Sequence, residues 1–321
     1  MIRLQQEGRE SLVPAIPLTT PFVINVDPSS ICNFKCKFCY QSLSKTIDMG
    51  IMEWSTYKKI ISDIKEFDRP IKTLRLYAFG EPLINPLFPD MIKYAKQENI
   101  CERIDTTTNG SLFHPKLNCD IINSGIDRIN ISVEGVDEKS YLNFSKYKIN
   151  FSRFVDNISH LYQNKGKCVI FIKMNGDITS QEDQDKFLDI FTPISDGIAI
   201  EHLINCWPDF NVNGVNKEVG IYGQPLKEAK VCPYIFYSMC VHYDGEVSSC
   251  FLDWNKKLVI GNINNKSIKE LWNGKTMNTN RKMMLSGSRY RLPVCSNCQQ
   301  LISGQPENID QYREELLRRF E

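Results

Sequence analysis

The sequence has no long apolar run. Nowhere do about 18 consecutive apolar residues occur, the length that a membrane-crossing helix needs, so a spanning helix is not expected. It also lacks a charge imbalance: Lys and Arg number 39 against 38 Asp and Glu, a net charge of +1. The global basic field that draws nucleic acid or an anionic membrane surface is therefore missing, and neither partner is expected. Histidine is scarce. His114, His160, His202 and His242 have no metal-ligating partner three or four residues away, which argues against a histidine-based metal site. The opening 27 residues lack an apolar segment ahead of a small-residue cleavage site and are broken by Arg3, Glu7, Arg9 and Glu10, so a cytoplasmic location is expected. There is no internal repeat and no low-complexity tract.

Cysteine is the opposite case. Twelve of them in a chain expected to sit in a reducing compartment point to metal or redox chemistry and away from disulfides. Cys32, Cys36 and Cys39 lie together; Cys232, Cys240, Cys250, Cys295 and Cys298 fall in the last third; Cys101, Cys119, Cys168 and Cys206 are scattered. Small buried hydrophobes is the ordinary reading of the cysteines outside a cluster.

A length of 321 residues suits two domains, or one barrel with an appendage. Six runs rich in β-branched and aromatic residues recur: Phe22–Asp27, Leu74–Phe79, Arg103–Thr108, Arg128–Val133, Val169–Met174 and Gly197–Leu203. Helically spaced stretches lie between them, at Trp54–Phe67, Pro89–Gln97, Phe151–Gln163 and Asp183–Phe191. Strand–helix alternation predicts an α/β fold with a helix-covered parallel sheet, either a partial barrel or an open sheet. Residues 206–224 read as a linker. Asp244-Gly245 between two apolar runs marks a hairpin, a helix is expected around Ser267–Trp272, and Ile309–Phe320 reads as a charged amphipathic helix.

Cys32, Cys36 and Cys39 have the spacing C-x3-C-x2-C directly after the first strand. Three thiolates are one short of a closed tetrahedral zinc site, and they suit a four-iron cubane whose fourth iron stays open. A zinc knuckle borrowing a remote ligand is the alternative. This motif resembles the signature of the radical S-adenosylmethionine (SAM) enzymes. The resemblance implies that the open iron binds SAM, and that reductive cleavage of SAM gives a 5′-deoxyadenosyl radical that takes hydrogen from a substrate. An external electron donor of flavodoxin or ferredoxin type is implied too.

Phe38 stands where the family has an aromatic residue beside the adenine. Phe79-Gly80-Glu81-Pro82 resembles the family's Gly-Gly-Glu-Pro, which receives the SAM amino group, with Phe79 departing from the first glycine. Asn109, in Thr-Thr-Asn-Gly, matches the family's third motif. Ser132 and Glu134, in Ile-Ser-Val-Glu-Gly, match the fourth, with Glu134 in place of Asp near the ribose. Met174 stands where the family contacts adenine or ribose.

The C-terminal third resembles the SPASM extension of this superfamily. The matching marks are Cys232, Asp244-Gly245 followed by Cys250, Gly261-Asn-Ile, Leu271-Trp-Asn-Gly and Cys295-x2-Cys298. No cysteine follows Cys298, so the resemblance implies the shortened twitch arrangement, with Cys232, Cys250, Cys295 and Cys298 holding one auxiliary [4Fe-4S] cluster. A structural zinc on the same thiols is the alternative. Asp253 is a candidate catalytic proton acceptor, with a solvated turn residue the equal reading. Arg75, Tyr77, Lys173, Glu201 and His202 lie on strands whose ends face the site.

The expected architecture is a partial (β/α)6 TIM barrel with a small C-terminal α/β SPASM/twitch cap. The expected division is 1–17 an N-terminal extension, 18–205 the barrel, 206–224 the linker, 225–308 the auxiliary-cluster unit and 309–321 a helix. The resemblance implies oxidation of a small polar substrate, such as a sugar, aminocyclitol or related alcohol, with its electron passing to the auxiliary cluster. A peptide or protein maturase, and an epimerase in which Cys206 or Cys240 returns a hydrogen atom, stay open. So does a non-enzymatic iron–sulfur or zinc module.

Overall fold

Alternation along the strands sets which side chains face which layer. In β4 (Arg128–Val133), Ile129, Ile131 and Val133 are buried, whereas Arg128, Asn130 and Ser132 are only half-buried. The apolar face packs under helices and the polar face lines the concave side. The structure, a computed structural model, describes residues 11–43, 48–207, 209–212, 215, 218–304 and 307–321.

The other strands are β1 (Val23–Val26), β2 (Ile71–Leu76), β3 (Cys101–Thr108), β5 (Val169–Asn175), β6 (Gly197–Glu201), β7 (Ser238–Val241), β8 (Glu246–Ser248) and β9 (Val259–Asn262). They form one sheet in the order β6-β5-β4-β3-β2-β1-β7-β8-β9. The first six are parallel and β6 does not meet β9, so the barrel stays open. The expected partial barrel is present.

Helices α1 (Trp54–Ile64), α2 (Phe88–Gln97), α3 (Pro115–Asn123), α4 (Glu138–Ser145), α5 (Phe151–Gln163) and α6 (Gln181–Phe191) connect these strands. In α1 the stripe Tyr57, Ile60, Ile61 and Ile64 is buried, each such side chain contributing roughly 2 kcal/mol. Asn150 starts α5 by accepting from the Arg153 N–H at 2.9 Å, and Ser180 starts α6 in the same way at 3.1 Å. Helices α3 and α4 were not expected. Each is short with a mixed polar surface, so periodicity hardly registers it.

The C-terminal unit is not a separate layer. β7 pairs parallel with β1, Val23 beside Ser238 through Val26 beside Val241, so the cap prolongs the barrel's own sheet. The Asp-Gly hairpin joins β7 to β8, with Gly245 at φ +83°, a conformation that favours glycine. Then follow α7 (Tyr234–Tyr237), α8 (Ile268–Trp272), α9 (Lys275–Leu285), α10 (Gln300–Ser303) and α11 (Arg313–Arg318), of which α7 precedes β7 in the chain. The Trp272 indole donates to the Leu18 carbonyl at 2.8 Å, fastening α8 to the barrel's entry segment. The tail is a 3-10 turn at Asp310–Tyr312 followed by α11, shorter than the helix expected over 309–320. Arg319 donates to the carbonyls of Val13 and Ile16 at 2.7 and 2.8 Å, so the chain's two ends meet. Among the described residues no helix is long and apolar enough to cross a membrane.

Candidate active site

The loop after β1 carries Cys32, Cys36 and Cys39. Lys35 and Lys37 donate their backbone N–H groups to Ser145 and Phe144, pinning the loop to the end of α4. Burial pushes the Cys32 thiol up to about 11 and the Cys39 thiol up to about 12. It drives Cys36 well above its ordinary value too, with Glu134, Cys39 and Cys32 adding repulsion. Three buried thiolates side by side are unfavourable unless positive charge joins them, which is the condition that iron ligation supplies.

The other strand ends converge on this loop. A Cβ on Gly80 would fall 2.3 Å from the Ser29 carbonyl oxygen, so only glycine lets the β2 loop lie against the cysteine loop. The Glu81 N–H then donates to the Ile31 carbonyl at 2.9 Å. The buried Glu81 carboxylate accepts from Leu83 N–H (3.1 Å) and Thr108 hydroxyl (2.6 Å) on Oε1, and from Asn109 N–H (2.8 Å) on Oε2. It ties the second motif to the third. Pro82 opens a 3-10 turn that Glu81 caps. Asn109 donates to Asn33 Oδ1 at 2.9 Å, reaching the cysteine loop itself. Phe38 is half-buried beside the cysteines.

Ser132 and Lys173 are paired across β4 and β5 on the concave face. The Glu134 carboxylate accepts no hydrogen bond from the described residues. Burial pushes its carboxyl up to about 7 while Lys173 pulls it down. A carboxylate left open beside the thiols suits a diol donor, as ribose presents. Met174 differs from its expected place: it is 3% exposed and packs in the core, because alternation turns Lys173 and Asn175 to the concave side instead. The Lys173 ammonium lies 2.9 Å from Glu201 Oε2.

The second set forms around the sheet's extension. Cys232 precedes α7, Cys250 follows β8, and Cys295 and Cys298 precede α10. Burial raises Cys250 well above its ordinary value, with Cys295, Cys298 and Cys232 all adding to it. The four thiols are thus neighbours. Among the described residues no three or more His, Cys, Asp or Glu group tightly enough for a single metal ion. Soft thiolate donors in sets of three and four suit iron–sulfur ligation.

Two expectations about single residues change. Asp253 is fully buried, and its carboxylate accepts from Ser248 Oγ (2.7 Å), Lys257 N–H (2.8 Å) and Leu258 N–H (2.8 Å). It clamps the 253–258 loop and is not placed as a proton acceptor for substrate. Cys240 is fully buried beside Tyr40 and Phe79, outside both thiol sets. Cys206 is different, because Cys298 and Cys39 both bear on it, one from each set. Sequence reasoning also missed Tyr222, which lies near Glu201, Lys173 and Tyr77. It sits in a stretch with no periodic pattern to single it out. A hollow of about 400 Å³ lined by Trp54, Asp90 and Tyr94 lies between α1 and α2, on the helix side and apart from these groups.

Residues 26–185 match the family model of the radical SAM superfamily, and residues 232–299 match that of the SPASM iron–sulfur cluster-binding domain. The chain belongs to the radical SAM superfamily of enzymes and carries a SPASM domain. That membership brings SAM, a [4Fe-4S] cluster and auxiliary iron–sulfur ligation.

Among individual relatives, the chain is 22% identical to the S-adenosyl-L-methionine-dependent 2-deoxy-scyllo-inosamine dehydrogenase of Niallia circulans, over 90% of this chain and 96% of that protein. It is 22% identical to GTP 3',8-cyclase of Chlorobaculum tepidum, but spans only 36% of that enzyme. The fold resembles BtrN in complex with AdoMet and 2-DOIA, with a TM-score of 0.60 and 21% identity over 90% of this chain and 97% of that one. It also resembles Streptococcus suis SuiB bound to precursor peptide SuiA, with a TM-score of 0.64 and 13% identity over 83% of this chain and 67% of that one.

Proposed function

We propose that the chain oxidises a small polar substrate by two electrons, using SAM as the radical source and one auxiliary cluster as the electron acceptor. The observation that carries this reading is the closed set Cys232, Cys250, Cys295 and Cys298. Four neighbouring thiols would supply a full protein ligand set for one auxiliary cluster, which would then conduct an electron without binding substrate. The likeness to an inosamine dehydrogenase along nearly that protein's whole length supports the same reading.

Cys32, Cys36 and Cys39 would hold the cluster that binds SAM. When bound, the two clusters and SAM together supply a carbon-centred radical to take hydrogen and a sink for the electron that follows. The chain's own residues position the reactants. Glu81 locks Asn109 and the Leu83 turn behind the cysteine loop. Glu134 offers an open carboxylate to a sugar diol, two residues on from Ser132 at the end of β4. Lys173, Glu201 and Tyr222 line the concave side ahead of the C-terminal unit.

The test uses anaerobically reconstituted protein with SAM, dithionite and a panel of cyclitols and sugars. One oxidised product should form per 5′-deoxyadenosine. Replacing Cys295 and Cys298 by Ala should leave deoxyadenosine formation and stop the oxidised product. Undiminished product from those variants would overturn the acceptor role.

A second reading is a peptide maturase, favoured by the likeness to SuiB in its peptide-bound form. Modification of a peptide, with no turnover of any cyclitol or sugar, would select it.

A further inference from the structure

The concave face carries a buried guanidinium that the chain leaves without an ion pair. Strand pairing sets Asn25 beside Arg75, Arg75 beside Asp105 and Asp105 beside Arg128, one row across β1 to β4. Two carboxylates on this face already have partners. Asp105 Oδ1 lies 2.8 Å from Arg103 Nε, and Glu201 is paired with Lys173. Arg75 has no such partner. Its Nε is sealed from solvent without a hydrogen bond; Asp105, its neighbour across the β2–β3 pairing, attracts it but lies beyond ion-pair distance and is paired with Arg103. Arg128 donates Nε to Asn130 Oδ1 at 2.8 Å and lies 4.9 Å over the Phe171 ring, leaving its terminal nitrogens to other acceptors.

A guanidinium taken out of water without an acceptor costs free energy that folding alone does not recover. Arginines retained in this state mark a place where an anion completes the site. Besides Asp105, Tyr77, Tyr234 and Tyr237 bear on Arg75. The latter two belong to α7, directly after Cys232. Arg75 is therefore near the segment that follows Cys232, on the side of the sheet where the substrate of the proposed reaction would lie.

We propose that Arg75 and Arg128 bind an oxyanion, carboxylate or phosphate, carried by the substrate. This rests on the small-polar-substrate reading and narrows it to acidic sugars or sugar phosphates, away from neutral or amine-bearing cyclitols. The two guanidiniums set specificity by leaving a desolvated donor unmatched when the anion is missing.

The test uses the full chain, anaerobically reconstituted and saturated with SAM, titrated with inorganic phosphate and separately with acetate at constant ionic strength. Calorimetry reads the affinity. At least one anion should bind, phosphate pointing to a phosphorylated substrate and acetate to a carboxylated one. Arg75→Gln and Arg128→Gln should each weaken it about tenfold or more, the loss expected for one charge-assisted hydrogen bond. Arg153→Gln, on the exposed start of α5, should bind like the wild type. Binding of neither anion, or equal binding by Arg75→Gln whose circular dichroism matches the wild type, would overturn the proposal. The readout is independent of turnover. Protein that binds phosphate yet makes no deoxyadenosine would remove the radical reading and keep the anion site, and the converse would remove the anion site alone.

Discussion

Phe79 stacks on His242, ring centroids 4.8 Å apart and planes within 9°. Phe79 occupies the position where the family pattern has a glycine, and His242 follows β7 in the C-terminal unit. The departure from pattern at one end of the molecule is thus met by a ring from the other. The Asp27 carboxylate accepts from the Phe79 N–H at 3.2 Å, and Tyr40 and Gln41 both donate to its carbonyl. Behind it, His242 Nε2 lies 2.8 Å from Ser248 Oγ, which donates to Asp253. The second SAM motif is thereby joined to the loop that presents Cys250.

Phe79→Ala should cost about 3 kcal/mol, as expected for emptying a buried aromatic site. Chemical denaturation checks this. Because the same residue orients Gly80 and Glu81, SAM affinity measured by calorimetry should fall as well.

His242 gives a pH signature. Burial lowers its pKa to about 4, so between about 4 and 6.5 the unfolded chain binds the proton that the folded chain refuses. Stability from this group is complete above about 6.5 and is lost as the pH falls below it. From pH 7.5 to 5.5 the wild type should lose roughly 1 kcal/mol more than His242→Asn in paired denaturation curves. Parallel losses in the two proteins would show that the ring is not held neutral.

Glu81→Gln keeps the size but removes the charge-assisted acceptor that Asn109 N–H, Leu83 N–H and Thr108 share. A loss of about 2 kcal/mol is expected, together with weaker SAM binding. Glu81→Asp, too short to reach all three donors, should show both effects more strongly. A SAM dissociation constant unchanged in both variants would show that the strut does not shape the site.

Cys39 of one thiol set and Cys298 of the other both bear on Cys206, and Cys206→Ala separates two outcomes. Oxidation to a product that leaves its electron on the auxiliary cluster has no need of this thiol, so product yield should persist. Loss of product with continued deoxyadenosine formation would identify a hydrogen atom returned by Cys206, as epimerisation requires.

Much of this was legible in the sequence. Both thiol sets stood out because cysteine spacing is local, and Gly80, Glu81 and Asn109 because each ends a strand in register. β-Branched runs gave β1 to β6. Met174 was misplaced by one residue, and with a period of two that turns a side chain from the concave face to the core. Asp253 was misread because a sequence does not show that three loop donors already fill a carboxylate. The Phe79–His242 stack joins residues 163 apart in number, and the parallel pairing of β7 on β1 is equally long-range. Neither leaves a local pattern. Helix α9, with few apolar residues and Arg281 buried under Trp272, owes its place to tertiary contacts.

The most direct measurement is iron and sulfide content after anaerobic reconstitution, with dithionite-dependent 5′-deoxyadenosine read from the same sample. About eight irons per chain are expected, falling to about four when Cys32, Cys36 and Cys39 are replaced by Ala, and likewise when Cys250, Cys295 and Cys298 are, following the two-cubane count. Deoxyadenosine should vanish in the first variant alone. Bound zinc in place of iron, or a wild-type chain that leaves SAM intact, would contradict the account.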